Sequence, residues 1–109
     1  MEDSKISSDL IRGHIDTIIL KLLLNQDKYG YEIGKLISSA SNGEYILKEA
    51  TMYSGLKRME QEGYISSYWG DAEQGARRRY YKITAKGKAK YAENKKNWES
   101  MKELLNKLI

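Results

Sequence analysis

From Thr84 to Ile109 the chain runs without an internal turn signal, and its large apolar side chains crowd toward the end. Threonine is a good helix cap, and about 25 residues at 1.5 Å each make a helix roughly 37 Å long. Trp98, Met101, Leu105 and Leu108 alternate in steps of three and four, the seam of a helix packing on another helix. The whole chain has 109 residues, enough for one domain core and too few for two. Such a helix outruns the core it starts from, and its apolar seam calls for a second chain.

The rest of the sequence divides into short elements separated by glycine and polar clusters, since proline is absent. A first helix is expected from about Ser8 to Asn25, capped by Ser8 or Asp9. Ile11, Ile15, Ile18, Ile19, Leu22 and Leu23 recur at helical spacing, and Leu10, Leu20 and Leu24 widen the apolar surface. A helix so broadly apolar is buried on more than one side, again pointing to a partner chain. Gln26-Asp27-Lys28 reads as a turn. A second helix spans Tyr29 to Ser41, and Ser41-Asn42-Gly43 supplies its stop. A third runs from Lys48 or Glu49 to Glu62, ended by Gly63. At 100° per residue, Met52, Leu56 and Met59 share its inner face. Ala50, Ser54, Lys57 and Gln61, flanked by Thr51, Tyr53 and Arg58, form an outer face without acids. Tyr64 to Trp69 and Arg77 to Ile83 are rich in strand formers and bracket a glycine-containing loop, so a two-stranded hairpin is expected.

Composition removes several function classes. Hydrophobic residues at 40% and charged residues at 31% describe a globular rather than a disordered chain. With no cysteine and a single histidine, His14, a disulfide framework, a cysteine-based zinc site and a thiol nucleophile are all excluded. No nucleophile–base pair or phosphate loop is visible, so neither an enzyme nor a cofactor is expected. The apolar run Leu22–Leu24, with Ile18–Leu20 before it, is interrupted by Lys21 and too short to span a bilayer. Met1–Ser8 has no apolar leader core, so a cytoplasmic protein with no membrane partner is expected. The net charge is +4, and between Arg77 and Ala92 there are seven basic residues and no acid. A basic stretch of this kind fits an acidic partner.

The order helix, helix, helix, hairpin, helix is that of a winged helix-turn-helix: mainly α, with a small two-stranded hairpin and a C-terminal dimerisation helix. Residues 1–83 would form the DNA-binding domain and 84–109 the dimerisation helix, as one structural unit. In this arrangement the third helix enters the major groove of double-stranded DNA. Ala50, Thr51, Tyr53 and Ser54 lie near its start, while Lys57 and Arg58 reach the phosphate backbone. Gln74, Arg77 and Arg78 occupy the wing, and Arg79 is expected to be structural. A winged-helix module that binds protein instead of DNA is the alternative; the basic wing argues against it.

Several of these stretches resemble the PadR family of transcriptional regulators. They are Glu49-Ala50-Thr51-Met52-Tyr53, Leu56-Lys57-Arg58-Met59-Glu60, Gly63-Tyr64-Ile65, Gly75-Ala76-Arg77-Arg78-Arg79-Tyr80-Tyr81 and Ile83-Thr84-Ala85-Lys86-Gly87. The resemblance runs from about Leu10 to Trp98. The single short C-terminal helix is similar to the compact subgroup, and Ser66-Ser67-Tyr68-Trp69-Gly70-Asp71 with Trp98 resembles its LmrR-type multidrug-responsive branch. That resemblance implies a homodimer through the first and last helices and a repressor at a pseudo-palindromic operator. It further implies a small aromatic effector between paired Trp98 side chains, with Leu10, Gly13, Asp16 and Thr17 lining the pocket. Lys21 and Lys95 depart from that branch by making the pocket more basic, which favours a more polar or anionic effector.

Overall fold

A computed structural model describes residues 6–70 and 77–109. The single first helix expected is two helices, α1 (Ser8–Ile11) and α2 (Ile15–Leu23), joined by a 3-10 turn over Arg12–His14. Glycine is a poor helix former. A Cβ at Gly13 would meet nothing within 4 Å, so the break falls where a poor helix former faces open space. The cap is Ser7, not Ser8 or Asp9; its hydroxyl accepts the Asp9 N–H at 3.2 Å. Ile19, Leu20 and Leu23 of α2 are fully buried, while Ile15, Ile18 and Leu22 pack at the edge of the core.

The next helices are α3 (Gly30–Ala40) and α4 (Glu49–Gln61). Ile33 and Ile37 of α3 and Met52, Leu56 and Met59 of α4 close on α2 to form the centre of the molecule. Gly63, at φ 84°, stops α4 in the left-handed conformation that favours glycine. β2 (Ile65–Trp69) and β3 (Arg79–Ile83) form the expected antiparallel hairpin, with Tyr68 opposite Tyr80 and Ile65 opposite Ile83. Ile65, Tyr81 and Ile83 turn into the core.

The sheet has three strands rather than two. Lys28–Tyr29, read as turn and helix start, is a short strand β1 that pairs with β3 on its other edge, giving the order β1-β3-β2. It covers backbone groups of β3 that would otherwise be an open edge. Tyr29, Tyr80 and Tyr68 meet there: the Tyr29 and Tyr80 rings lie edge to face at 5.6 Å, and Tyr68 stacks on Tyr80 at 5.7 Å. The Tyr68 hydroxyl also donates to Asp27 at 2.5 Å. The carboxylate favours the protonated phenol and raises the Tyr68 pKa.

Helix α5 (Ala85–Leu108) starts at Thr84 as the sequence predicts, the Thr84 hydroxyl accepting the Gly87 N–H at 3.0 Å. The same hydroxyl donates to the Gly63 carbonyl at 2.7 Å, tying α5 to the end of α4. Gly87 is buried against Tyr64. A Cβ there would fall on the Tyr64 carbonyl oxygen and lie 2.8 Å from Ile83 Cγ1. Alanine is the better helix former by about 1 kcal/mol, but overlap with backbone outweighs that gain. Gly87→Ala is expected to lose about 2 kcal/mol net, a fall of roughly 8–12 °C in melting temperature. Thermal melts of both proteins at equal concentration check this; an unchanged or higher midpoint refutes the close approach.

Beyond Tyr91, which packs against the core, α5 carries no buried residue. Trp98, Met101, Leu104, Leu105 and Leu108 are between 44% and 69% exposed. The radius of gyration, 15.1 Å, exceeds the roughly 13 Å of a compact chain this long.

Candidate nucleic-acid interface

The buried stripe of α4 contains Met52, Gly55, Leu56 and Met59, which turns the rest of the helix outward. Ala50, Thr51, Tyr53, Ser54, Lys57 and Arg58 are all exposed. Tyr53 is anchored rather than free. Its ring lies over Gly30 at the start of α3, where a Cβ would overlap the hydroxyl and sit 2.6 Å from Cε1. The first turns of α3 and α4 are thereby held side by side, as in a helix-turn-helix.

The exposed cations differ sharply in what they touch. Among the described residues no acid pairs with Lys57, Arg77 or Arg78. Arg78 places its guanidinium 4.6 Å over the Tyr29 ring, and Arg77 sits 5.8 Å over Trp69 with its Nε 3.4 Å from the Gly70 carbonyl. Stacking on an aromatic face holds a guanidinium in place without neutralising it. Arg79 is structural: it donates to Ser67 Oγ at 2.8 Å and approaches Glu60 at 3.5 Å, joining the wing to the last turn of α4. Gln74 lies outside the described residues.

Arg58, although exposed, is engaged by two carboxylates of its own chain. Its Nη2 contacts Asp16 Oδ1 at 2.7 Å and its Nη1 contacts Glu62 Oε1 at 3.0 Å. The bond to Asp16, more than any other cause, raises the Arg58 pKa. Sequence periodicity could not find this contact, because Asp16 and Arg58 stand 42 positions apart.

The residues expected around an effector divide between two places. Leu10, Thr17 and Trp98 line an apolar cavity of about 760 Å³ among the terminal helices, α2 and α3, with Lys21, Lys95 and His14 also on its wall. Asp16 faces a separate cleft beside α4, lined with Arg12, Thr51, Ser54 and Arg58. Gly13 lines neither. No helix among the described residues is long and apolar enough to cross a membrane.

Residues 19–93 match the model of the PadR-like transcriptional regulator family. The chain belongs to the PadR family. PadR-family regulators bind DNA and typically dimerise. A transcriptional regulator from Clostridium thermocellum is 48% identical and superposes with a TM-score of 0.88, over 95% of this chain and 98% of its own. A PadR family transcription regulator from Clostridium difficile is 40% identical, with a TM-score of 0.77 over 88% of this chain and 98% of its own. An uncharacterised protein of Lysinibacillus sphaericus is 46% identical, over 93% of both chains. The PadR helix-turn-helix is thus α3 and α4, and its wing is the β2–β3 hairpin.

Proposed function

We propose that this PadR protein is a homodimeric, cytoplasmic repressor that grips a pseudo-palindromic operator through α4 and the wing. The observation that carries the DNA contact is the set of uncompensated cations, Lys57 with Arg77 and Arg78, beside an exposed helix face of Thr51 and Ser54. Hydroxyls near the start of α4 suit base edges, and the cations suit phosphates. Residues 1–83 act as the reading head and 84–109 as the dimerisation helix. The exposed apolar row of α5 supports that division, since an apolar seam on a helix is covered by another helix. Two-fold symmetry then sets the two α4 helices about 34 Å apart along the duplex.

The cavity bounded by Leu10, Thr17 and Trp98 is read as the seat of a small aromatic effector. Lys21 and Lys95 favour one carrying an acidic group. Binding there releases DNA only if the effector prefers one spacing of the two reading heads over the other.

The test is selection of duplexes from a randomised library, followed by equilibrium binding across a salt series. Enrichment of an inverted repeat, with affinity falling steeply as salt rises, is expected. A planar aromatic carboxylate added to the complex is expected to quench Trp98 and reduce occupancy, with Trp69 replaced to isolate the signal. Failure to enrich any sequence removes the DNA reading. Enrichment without any dye response removes only the effector.

A further inference from the structure

Arg58 is one of two cations toward the middle and end of the exposed face of α4, and its surroundings set it apart from the other. Each terminal nitrogen already meets a carboxylate, Asp16 at 2.7 Å and Glu62 at 3.0 Å. One positive charge faces two negative ones, so a phosphate approaching this point meets no net attraction. Two of its five N–H donors are committed to these carboxylates, and Asp16 is itself only 34% exposed. Lys57, one residue earlier, carries no such partner among the described residues.

The location of the pair is as telling as its charge. Asp16 stands in the first turn of α2, and Arg58 in the last turn of α4. Between them lies Gly55, buried in α4, where a Cβ would come 3.9 Å from Arg58 Nη2 and 4.0 Å from Asp16 Oδ1. The ion pair thus spans Gly55 at ordinary contact distance from where a Cβ would stand. On the other side of the same turn, Glu60 accepts Ser67 Oγ at 2.5 Å and meets Arg79 of β3. The C-terminal half of α4 is therefore held from two directions, by α2 through Asp16 and by the wing through Glu60.

We infer that Arg58 is a positioning residue and not a phosphate contact: through Asp16 it fixes the angle at which α4 presents Thr51 and Ser54 to the base edges. The inference rests on the DNA-binding reading above. A guanidinium can reach Asp16 and Glu62 together because its nitrogens diverge in one plane; a lysine ammonium offers a single point. Discrimination between sequences depends on that angle, whereas attraction to phosphates in general does not.

The experiment measures affinity for a library-selected duplex and for a scrambled one, each across a salt series, with melting temperatures alongside. Arg58→Ala, Arg58→Lys and Asp16→Asn are compared with Lys57→Ala. Arg58→Ala and Asp16→Asn are each expected to cut the preference for the selected duplex by about threefold to fivefold, the weight of a solvent-screened ion pair. The slope of log K against log salt should stay at the parent value. Arg58→Lys, which keeps charge and fold, should lose discrimination too. Lys57→Ala should weaken both duplexes alike and flatten the slope by about 2, one contact from each reading head of the dimer. A flattened slope in Arg58→Ala, full activity in Arg58→Lys, or unchanged discrimination in Asp16→Asn each overturns the positioning role while leaving the DNA reading intact. If the parent itself prefers no sequence, the DNA reading falls first and takes this role with it.

Discussion

Replacing Lys57, Arg77 and Arg78 together with alanine is expected to weaken binding to the selected duplex by roughly a hundredfold or more at moderate salt. Each neutralised phosphate releases about 0.9 of a counterion, so three lost contacts on each of the two reading heads should flatten the salt dependence by about 5.4. The protein should remain folded. These side chains are exposed, and none is held by an acid among the described residues. Arg77 and Arg78 contribute little to stability beyond their stacking on Trp69 and Tyr29. Fluorescence anisotropy with a labelled duplex measures both quantities. A triple variant that binds with parental affinity and slope would show that this surface does not meet DNA.

The second large effect concerns α5. Met101 and Leu105 are 51% and 44% exposed and lie four residues apart, on one face of the helix. Met101→Asp combined with Leu105→Asp puts two carboxylates where the proposed partner helix packs. A charge buried without a counter-ion is costly enough to open an interface. In the isolated protomer the same positions face water, so helix content and the core should survive. Analytical ultracentrifugation should show a monomer where the parent is a dimer. Affinity for the inverted repeat should fall by about a hundredfold to ten-thousandfold, because the two half-sites are no longer bound through one linked molecule. A variant that still sediments as a dimer would place the interface elsewhere.

Periodicity made most of the architecture legible. The burial of Met52, Leu56 and Met59, and the exposure of Thr51, Ser54 and Lys57, follow from 100° per residue along α4. The start of α5 was legible for an equally local reason, since Thr84 satisfies an N–H three residues ahead, that of Gly87. The stop at Gly63 follows from glycine's access to positive φ.

What sequence could not show was every feature made by residues distant along the chain. Strand β1 is two residues long, too short for any alternation to register, and exists only because β3 offers it an edge. The 3-10 turn over Arg12–His14 interrupts an apolar periodicity that runs on through it. The family resemblance puts Asp16 with Leu10 and Thr17 around one pocket, yet the fold turns it toward Arg58.

Local chemistry therefore determined where α3, α4, α5 and the β2–β3 hairpin of this PadR protein lie and which face of α4 meets water. Only tertiary structure decided that Arg58 and Arg79 are engaged by acids distant along the chain. The reason is that hydrogen-bond caps and side-chain periodicity act within a turn or two, whereas an ion pair spanning 42 residues exists only once packing has brought its halves together.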